Sequence, residues 1–204
     1  MLVDMKLREF VEAVAAKTPT PGGGAVAAAA CSMGAALGIM AARYSEGPEA
    51  QASAGALEDL KVALVPLVDQ DAEAYDAVST AFGLPKGTDE EKKRRKAAVQ
   101  TALKDAAEVP LQTMMTAVRA LEAVASLAPH GNRNLASDLA SGAIMLTAGL
   151  ECASHNVLIN AAMIVDKEVA ERLTAEDERL RVRAQELRKS VLKDVERLQK
   201  ADKK

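Results

Sequence analysis

The chain has 204 residues, a formal net charge of −3, and 2% aromatic residues with no tryptophan. This length fits one domain of ordinary size. The slightly acidic balance and the shortage of aromatic side chains exclude a basic surface on which nucleic-acid bases stack. We therefore expect no nucleic-acid partner.

The two cysteines and the first residues indicate the compartment. Cys31 and Cys152 lie far apart in apolar, alanine-rich surroundings. This placement is typical of small core residues in a reducing environment rather than of a disulfide framework. The charged start of the chain lacks the apolar segment of a secretory signal. We expect a cytoplasmic protein.

Two helices are predicted at the start of the chain, separated by a proline- and glycine-rich loop. Asp4 is expected to cap a first helix that ends near Lys17. The sequence Thr-Pro-Thr-Pro-Gly-Gly-Gly, residues 18–24 and called here the glycine loop, stops that helix because proline lacks an N–H donor. A second helix follows over residues 25–44.

The uncharged run 25–42 approaches the length of a membrane span. Its alanines and glycines are weakly hydrophobic, and it lacks basic flanks and an aromatic belt. We predict a buried helix of a bundle and no membrane partner. Gly34 and Gly38 fall on one face of this helix, where small residues let another backbone approach closely. That face is one reason to expect a homodimer.

The remaining segments also show helical patterns. A third helix over 49–82 is kinked or divided at Pro66. A fourth begins with a capping box at Thr88, a fifth begins at Pro110, and a sixth covers 135–165. A long amphipathic helix occupies 173–204, with an apolar stripe from Leu180 to Leu198. The predicted fold class is therefore all-α, a multihelical bundle in a single domain over residues 1–204.

Three polar stretches are candidates for chemistry, and each has a structural alternative. The glycine loop precedes a helix, where free N–H groups bind anions or polar ligands, but a tight turn also requires glycine. The second stretch, residues 69–76, carries four acids on one helix. Such a run is usually a solvated stripe, although a buried carboxylate among like charges transfers protons. Its spacing does not indicate a metal site.

The third stretch, residues 132–138, is a polar loop that enters a helix. Its side chains either cap that helix or recognise a ligand. Farther along, His155, Asn156 and Asn160 interrupt an apolar helix, as satisfied core groups or as site residues. The basic run 92–96 is either a solvent-facing surface or a docking site for a polyanionic tail.

Taken in order, these stretches resemble the formiminotetrahydrofolate cyclodeaminase and methenyltetrahydrofolate cyclohydrolase family. The resemblance runs over residues 4–170 and rests on segments 19–24, 69–75, 108–110, 132–138 and 156–160. It implies an all-helical homodimer that binds a folate, including polyglutamylated forms, near the glycine loop. No metal or redox cofactor is implied. Family members commonly have serine after the three glycines, whereas this chain has Ala25, so the loop is expected to contribute backbone only.

The resemblance also implies roles for individual residues. Asp71 and Asp138 are the leading candidates for proton transfer and charge balance, with Asp69 and Glu73 in support. The substrate-binding residues implied are Pro21, Gly22, Gly23, Gly24, Asn132, Ser137, Asn156 and Asn160.

The reaction favoured by this resemblance is hydrolysis of 5,10-methenyltetrahydrofolate to 10-formyltetrahydrofolate. Bifunctional relatives carry a formiminotransferase domain ahead of this module, and only a few residues precede it here, which disfavours the cyclodeaminase reaction. Cyclodeaminase activity, with release of ammonia, remains the alternative. A function of another class is a helical interaction module that uses the C-terminal apolar stripe.

Overall fold

The computed structural model describes residues 1–200, and their regular structure is helical throughout. This confirms the all-α prediction. Residues 201–204, the end of the predicted C-terminal helix, lie outside the described part. Three 3₁₀ turns cover Leu2–Asp4, Ala128–His130 and Arg133–Leu135. The α-helices are α1 Leu7–Ala15, α2 Gly23–Arg43, α3 Pro48–Leu64, α4 Leu67–Gly83, α5 Asp89–Leu127, α6 Ala136–Ala161 and α7 Lys167–Lys200.

The start of α1 differs from the prediction. Asp4 belongs to the first 3₁₀ turn, and Lys6 occupies the cap position. The Glu9 side chain accepts a hydrogen bond of 3.1 Å from the Lys6 backbone N–H. This bond satisfies an N–H that has no helical partner at the start of α1, and the helix begins after Lys6 rather than after Asp4.

The two interior prolines act differently. Pro66 divides the predicted third helix into α3 and α4, one of the two outcomes expected. Pro110 lies inside α5, so the prediction that it begins a new helix was wrong. Because proline lacks an N–H, the carbonyl of Ala106 loses its helical partner. Asn160 of α6 donates to that carbonyl at 3.1 Å, and the helix continues.

The centre of the bundle is the antiparallel pair α2 and α6. A Cβ on Gly34 would lie 2.9 Å from the carbonyl oxygen of Gly142, and a Cβ on Gly149 would lie 2.8 Å from that of Ala27. Both distances are too short for a real Cβ, so only glycine permits this approach. The small-residue face therefore packs within the chain and does not support the expectation of a homodimer.

The long helix α7 packs on α5 and α6. Its apolar stripe is buried at Leu180, Ala184, Leu187, Val191 and Val195. The interaction-module alternative requires this stripe to be exposed to a partner. The packing on α5 and α6 buries it instead. Arg183 also pairs with Glu122 of α5 at 3.0 Å, at the surface beside this packing.

By length and mean hydropathy alone, two segments are candidate membrane spans, Gly23–Arg43 and Arg133–Ala161. Within the bundle, 56% and 50% of their apolar windows are buried. One face of each is core, as predicted for the first of them, and the other face lies at the surface. Cys31 on α2 is buried, as predicted, whereas Cys152 on α6 is exposed, so the prediction that both cysteines are core residues was wrong for Cys152.

Candidate active site

A cavity of about 290 Å³ lies between the glycine loop, α4 and α6. Backbone forms one wall, because Gly22 and Gly23 at the start of α2 expose main-chain atoms there. The other walls are side chains. The lining is completed by Pro19, Thr20, Asp71, Ala74, Tyr75, Val78, Ala106, Asn156, Ile159, Asn160 and Met163.

Asp71 lies on α4 against the first turn of α2. A Cβ on Gly24 would lie 2.5 Å from the Asp71 carboxylate carbon, so the third glycine of the loop makes room for this side chain. Burial raises the pKa of Asp71, and a hydrogen bond from the Ala25 backbone partly opposes that rise. A half-buried carboxylate at a helix N-terminus is suited to accepting a proton and to balancing a cationic ligand.

Two amide side chains of α6 face the same cavity. Asn156 donates to the Cys152 carbonyl at 2.9 Å, which leaves its Oδ1 as an acceptor for a ligand. Asn160 donates to the carbonyls of Ala106 and Asn156 at 3.1 and 2.9 Å. Asn160 therefore also holds α6 against α5, a structural role that its sequence position did not reveal.

Sequence reasoning missed part of the lining. Tyr75 lies one turn after Asp71 and places its ring at the cavity. Ile159, between the two asparagines on α6, and Met163, just beyond the end of that helix, make the cavity partly apolar. The signal was their spacing of three or four residues from residues already singled out, which places them on the same side of a helix.

The supporting acids lie elsewhere. Asp69 is buried, and its carboxylate accepts a hydrogen bond from the Leu2 backbone N–H, so it ties the chain start to α4. Glu73 is exposed and does not line the cavity. Pro21 is buried beside the lining, after a cis Thr20–Pro21 peptide bond. Of the acids predicted on α4, the structure brings only Asp71 to the cavity.

The polar loop 132–138 lies at the opposite end of α2. Asn132 donates through Nδ2 to the Tyr44 carbonyl at 2.7 Å, just beyond the last turn of that helix. Ser137 donates weakly to the half-buried Asp138 carboxylate at 3.5 Å. Because α2 has 21 residues, about 30 Å separates this loop from the glycine loop. Within one chain, the two predicted halves of the site do not meet.

A basic groove of about 430 Å³ adjoins the cavity. The Gln100 side chain lines it and donates to the carbonyl of Met163, a residue of the cavity wall, at 3.0 Å. Arg95 stacks over the Phe82 ring at 5.6 Å from its centre. The groove's cationic residues are Lys86, Lys92, Arg95 and Lys96.

Within residues 1–200, no three histidine, cysteine, aspartate or glutamate side chains are grouped in a way that could hold a metal ion. The polar groups of the cavity are exposed backbone, the amides of Asn156 and Asn160, the Asp71 carboxylate and the hydroxyls of Thr20 and Tyr75.

Comparison with known proteins decides the family. The formiminotransferase-cyclodeaminase family model matches residues 6–179, which include every element that lines the cavity. The chain belongs to this family. The resemblance noted in the sequence is thereby confirmed.

Family members of two kinds are similar to this chain. A methenyltetrahydrofolate cyclohydrolase of Methylorubrum extorquens is 36% identical over 197 residues, covering 93% of this chain and 95% of the relative. The formimidoyltransferase-cyclodeaminase of Gallus gallus is 39% identical over 174 residues. That match covers 81% of this chain but 32% of the relative, so the chain spans about a third of the bifunctional protein.

A solved family structure has the same fold. The formiminotetrahydrofolate cyclodeaminase of Thermotoga maritima superposes with a TM-score of 0.86 at 30% identity, covering 97% of this chain and 99% of that one. The helical bundle found here is therefore the fold of a cyclodeaminase-family protein, with the glycine loop at one end of its central helix pair.

Proposed function

We propose that this chain hydrolyses 5,10-methenyltetrahydrofolate to 10-formyltetrahydrofolate. The observation that carries the proposal is the half-buried carboxylate of Asp71, which faces a partly apolar cavity beside a wall of exposed backbone. The near end-to-end similarity to the Methylorubrum extorquens cyclohydrolase supports it.

The reaction needs charge balance and proton transfer. Methenyltetrahydrofolate carries a cationic amidinium carbon, which a nearby carboxylate stabilises. Water adds to that carbon and loses a proton to a base. The bond from that carbon to N5 then breaks as N5 gains a proton and the new hydroxyl loses its proton to become the formyl oxygen. The formyl group remains on N10. Asp71 supplies the balancing charge and is the base for water.

The other groups position the substrate. Gly22 and Gly23 present main-chain atoms to a flat heterocycle, and the Oδ1 atoms of Asn156 and Asn160 suit the N–H groups along the edge of a pterin. Tyr75 adds an aromatic side chain to the lining. The position directly after the three glycines offers no hydroxyl, because it is Ala25.

The test is turnover of methenyltetrahydrofolate by the wild-type chain and by Asp71→Asn. A positioned base contributes about 10²- to 10⁴-fold in rate, so we expect a loss of at least tenfold with the fold intact. Asp76→Asn is the matched control, because Asp76 is exposed on the same helix and does not line the cavity. Wild-type turnover in Asp71→Asn would overturn the assignment.

The cyclodeaminase reaction on 5-formiminotetrahydrofolate is the second candidate. Similarity to the formiminotetrahydrofolate cyclodeaminase of Thermotoga maritima favours it, since that protein also aligns over nearly its whole length. Supplying each substrate separately distinguishes the two, because only the cyclodeaminase reaction releases ammonia.

We also propose that the substrate is polyglutamylated and that its tail lies in the basic groove. Lys86, Lys92 and Lys96 line a groove that adjoins the cavity, and successive glutamates are anionic at neutral pH. The enzyme would act as a homodimer in the cytoplasm, without a metal or redox cofactor and without nucleic-acid or membrane partners. The family resemblance supports the homodimer and the absence of a cofactor, and the slightly acidic, aromatic-poor composition supports the absence of a nucleic-acid partner.

A further inference from the structure

The connection between α6 and α7, residues 162–166, forms part of the cavity wall through Met163. Ile164 in the middle of this connection is buried in the core, whereas Met163 and Val165 on either side of it are 44% and 64% exposed. Packing therefore anchors the connection at one residue. The backbone on both sides of that residue depends on polar contacts with α5.

Gln100 of α5 holds the connection at two points. Its Nε2 donates to the Met163 carbonyl at 3.0 Å, and its Oε1 accepts from the Val165 backbone N–H at 2.7 Å. The two bonds fix the orientation of the amide, because a half-turn about its last torsion would set oxygen against carbonyl and N–H against N–H. The position of Met163 at the cavity therefore depends on the Gln100 side chain.

Two ion pairs extend this attachment along α5 toward the start of α7. Lys104, one turn after Gln100, pairs with Asp166 at 2.7 Å. Glu108, one turn farther, pairs with Arg172 of α7. Pairs between exposed charges are weak, whereas the Gln100 side chain is half-buried and makes two bonds. Gln100 is thus the firmest of the three attachments.

Gln100 also lines the basic groove, one turn after Lys96. Its Nε2 carries two hydrogens, and the Met163 carbonyl accepts one of them. The other is left for a ligand in the groove. A carboxylate there would accept a hydrogen bond strengthened by its own charge, and neither bond to the connection would break.

We propose that Gln100 is a positioning residue that couples the basic groove to the cavity. A carboxylate of the substrate's tail that accepts from Nε2 restrains the same amide that holds Met163 and Val165. The bound tail thereby fixes the wall against which the other end of the substrate reacts, and by reciprocity a fixed wall favours binding of the tail. The inference rests on the proposed function, which places the tail in the groove.

The first test compares substrates with one and with five glutamates. Gln100→Met keeps the length of the side chain and removes both hydrogen bonds. It should lower kcat for both substrates, because the wall moves, and should reduce the preference in kcat/KM for the pentaglutamate by about fivefold or more. Gln112→Met is the matched control, because Gln112 is exposed on the same helix and lines neither site, and it should match wild type.

Either of two results in Gln100→Met would overturn the inference. An unchanged preference for the pentaglutamate would show that Gln100 does not sense the tail. A wild-type kcat with the monoglutamate would show that it does not position the wall.

The second test separates coupling from simple loosening of the connection. Lys104→Met releases the same connection at Asp166, but Lys104 does not line the groove. This variant should keep the preference for the pentaglutamate. An equal loss of preference in Lys104→Met and Gln100→Met would show that any loosening suffices, which would overturn the specific role of Gln100.

A double-mutant cycle tests whether the tail acts through Gln100. Lys96→Glu removes a cation that the tail meets one turn earlier on α5. It should cost less of the pentaglutamate preference in the Gln100→Met background than in wild type, because the coupling is already lost there. Additive losses would mean that the groove and the wall act independently and would overturn the coupling.

The last test needs no turnover. The Val165 N–H is protected from hydrogen exchange by its bond to Gln100. A pentaglutamate peptide should slow this exchange in wild type, and the exchange should be fast with or without the peptide in Gln100→Met. Exchange that does not respond to the peptide in wild type would overturn the inference. Slowed exchange in a wild-type chain that does not hydrolyse methenyltetrahydrofolate would support the coupling and contradict the proposed function alone.

Discussion

At the scale of single residues, neighbouring glycines of the loop have different tasks. Gly23 is exposed at the cavity, and a Cβ there would lie 3.4 Å from Asn156 Nδ2, an ordinary contact. Gly24 is buried, and its missing Cβ leaves the space that the Asp71 carboxylate occupies. The loop therefore combines a ligand-facing position with a position that places the carboxylate.

Alanine substitutions should separate these two tasks. Gly23→Ala should raise the free energy of unfolding by about 0.4–1 kcal/mol, because alanine restricts the unfolded chain, while it weakens folate binding. Gly24→Ala should displace Asp71 and lower kcat at least tenfold. Thermal unfolding and folate titration of both variants check this. Equal folate affinity in Gly23→Ala and wild type would show that the glycine wall does not contact the ligand.

The raised pKa of Asp71 predicts a pH dependence. As the base, Asp71 must be ionised, so kcat/KM should fall with decreasing pH through a pKa above that of an ordinary aspartate. Between the unfolded and folded pKa values the folded state binds more protons, so this group's contribution to stability is lost as pH rises through that interval. The kcat/KM of Asp71→Asn should therefore lack this fall at acidic pH, called here the acidic limb. At neutral pH the variant should be more stable than wild type.

A pH profile of kcat/KM checks the predicted fall in activity at acidic pH. Unfolding measurements at acidic and neutral pH check the predicted loss of stability as pH rises. Asp76→Asn, exposed on the same helix, should retain the wild-type profile. An acidic limb that persists unchanged in Asp71→Asn would assign the titration to another group.

At the scale of elements, the sequence predicted helices well and their interruptions less well. Periodicity and caps located α2, α6 and α7, because those signals are local. The continuity of α5 through Pro110 depends on a donor from α6, 50 positions away in the chain. No local pattern shows that Asn160 reaches the Ala106 carbonyl, so the break predicted there was wrong.

The Pro110 and Asn160 pair predicts a coupling in stability. Asn160→Ala leaves the buried Ala106 carbonyl unpaired and should cost about 1–3 kcal/mol of unfolding free energy. In a Pro110→Ala background the new N–H restores the helical bond, so the same substitution should cost less. Denaturant unfolding of the two single variants and the double variant measures the difference. Additive effects would mean that the amide does not replace the missing donor.

The basic groove of α5 predicts a preference among substrates. Lys96→Glu should raise KM for a polyglutamylated folate several-fold and leave KM for the monoglutamate nearly unchanged, and added salt should weaken the preference in wild type. Lys193→Glu, on the exposed side of α7, is the control. Equal KM changes for both substrates would show that the tail lies elsewhere.

At the scale of the whole molecule, α7 belongs to the bundle. Leu187 is buried against it, so Leu187→Asp should lower the free energy of unfolding by more than about 2 kcal/mol, beyond the cost of a lost side chain. Circular dichroism during urea unfolding measures this. An unchanged urea midpoint with loss of self-association alone would restore the interaction-module alternative.

The order of motifs along the chain revealed the family, but it did not reveal their distances in the fold. Asp71, Gly23 and Asn156 meet because α2, α4 and α6 converge at one end of the bundle. Asn132 and Asp138 were assigned to the same site and lie at the far end of α2. Motif order carries no information on which end of an antiparallel helix pair a residue occupies, and so the sequence could not separate the two groups.

Because α2 and α6 approach most closely at glycines, the two helices fit together in only one register along their axes. Inserting a single residue into α2 would advance everything after it by about 1.5 Å and rotate it by about 100°, moving Gly34 and Gly38 off the positions where no Cβ fits. The length of α2 is consequently under tighter constraint than its composition. Deletions and insertions should be absent between the glycine loop and Tyr44 in any functional descendant of this chain, while the connection between α4 and α5 remains free to vary.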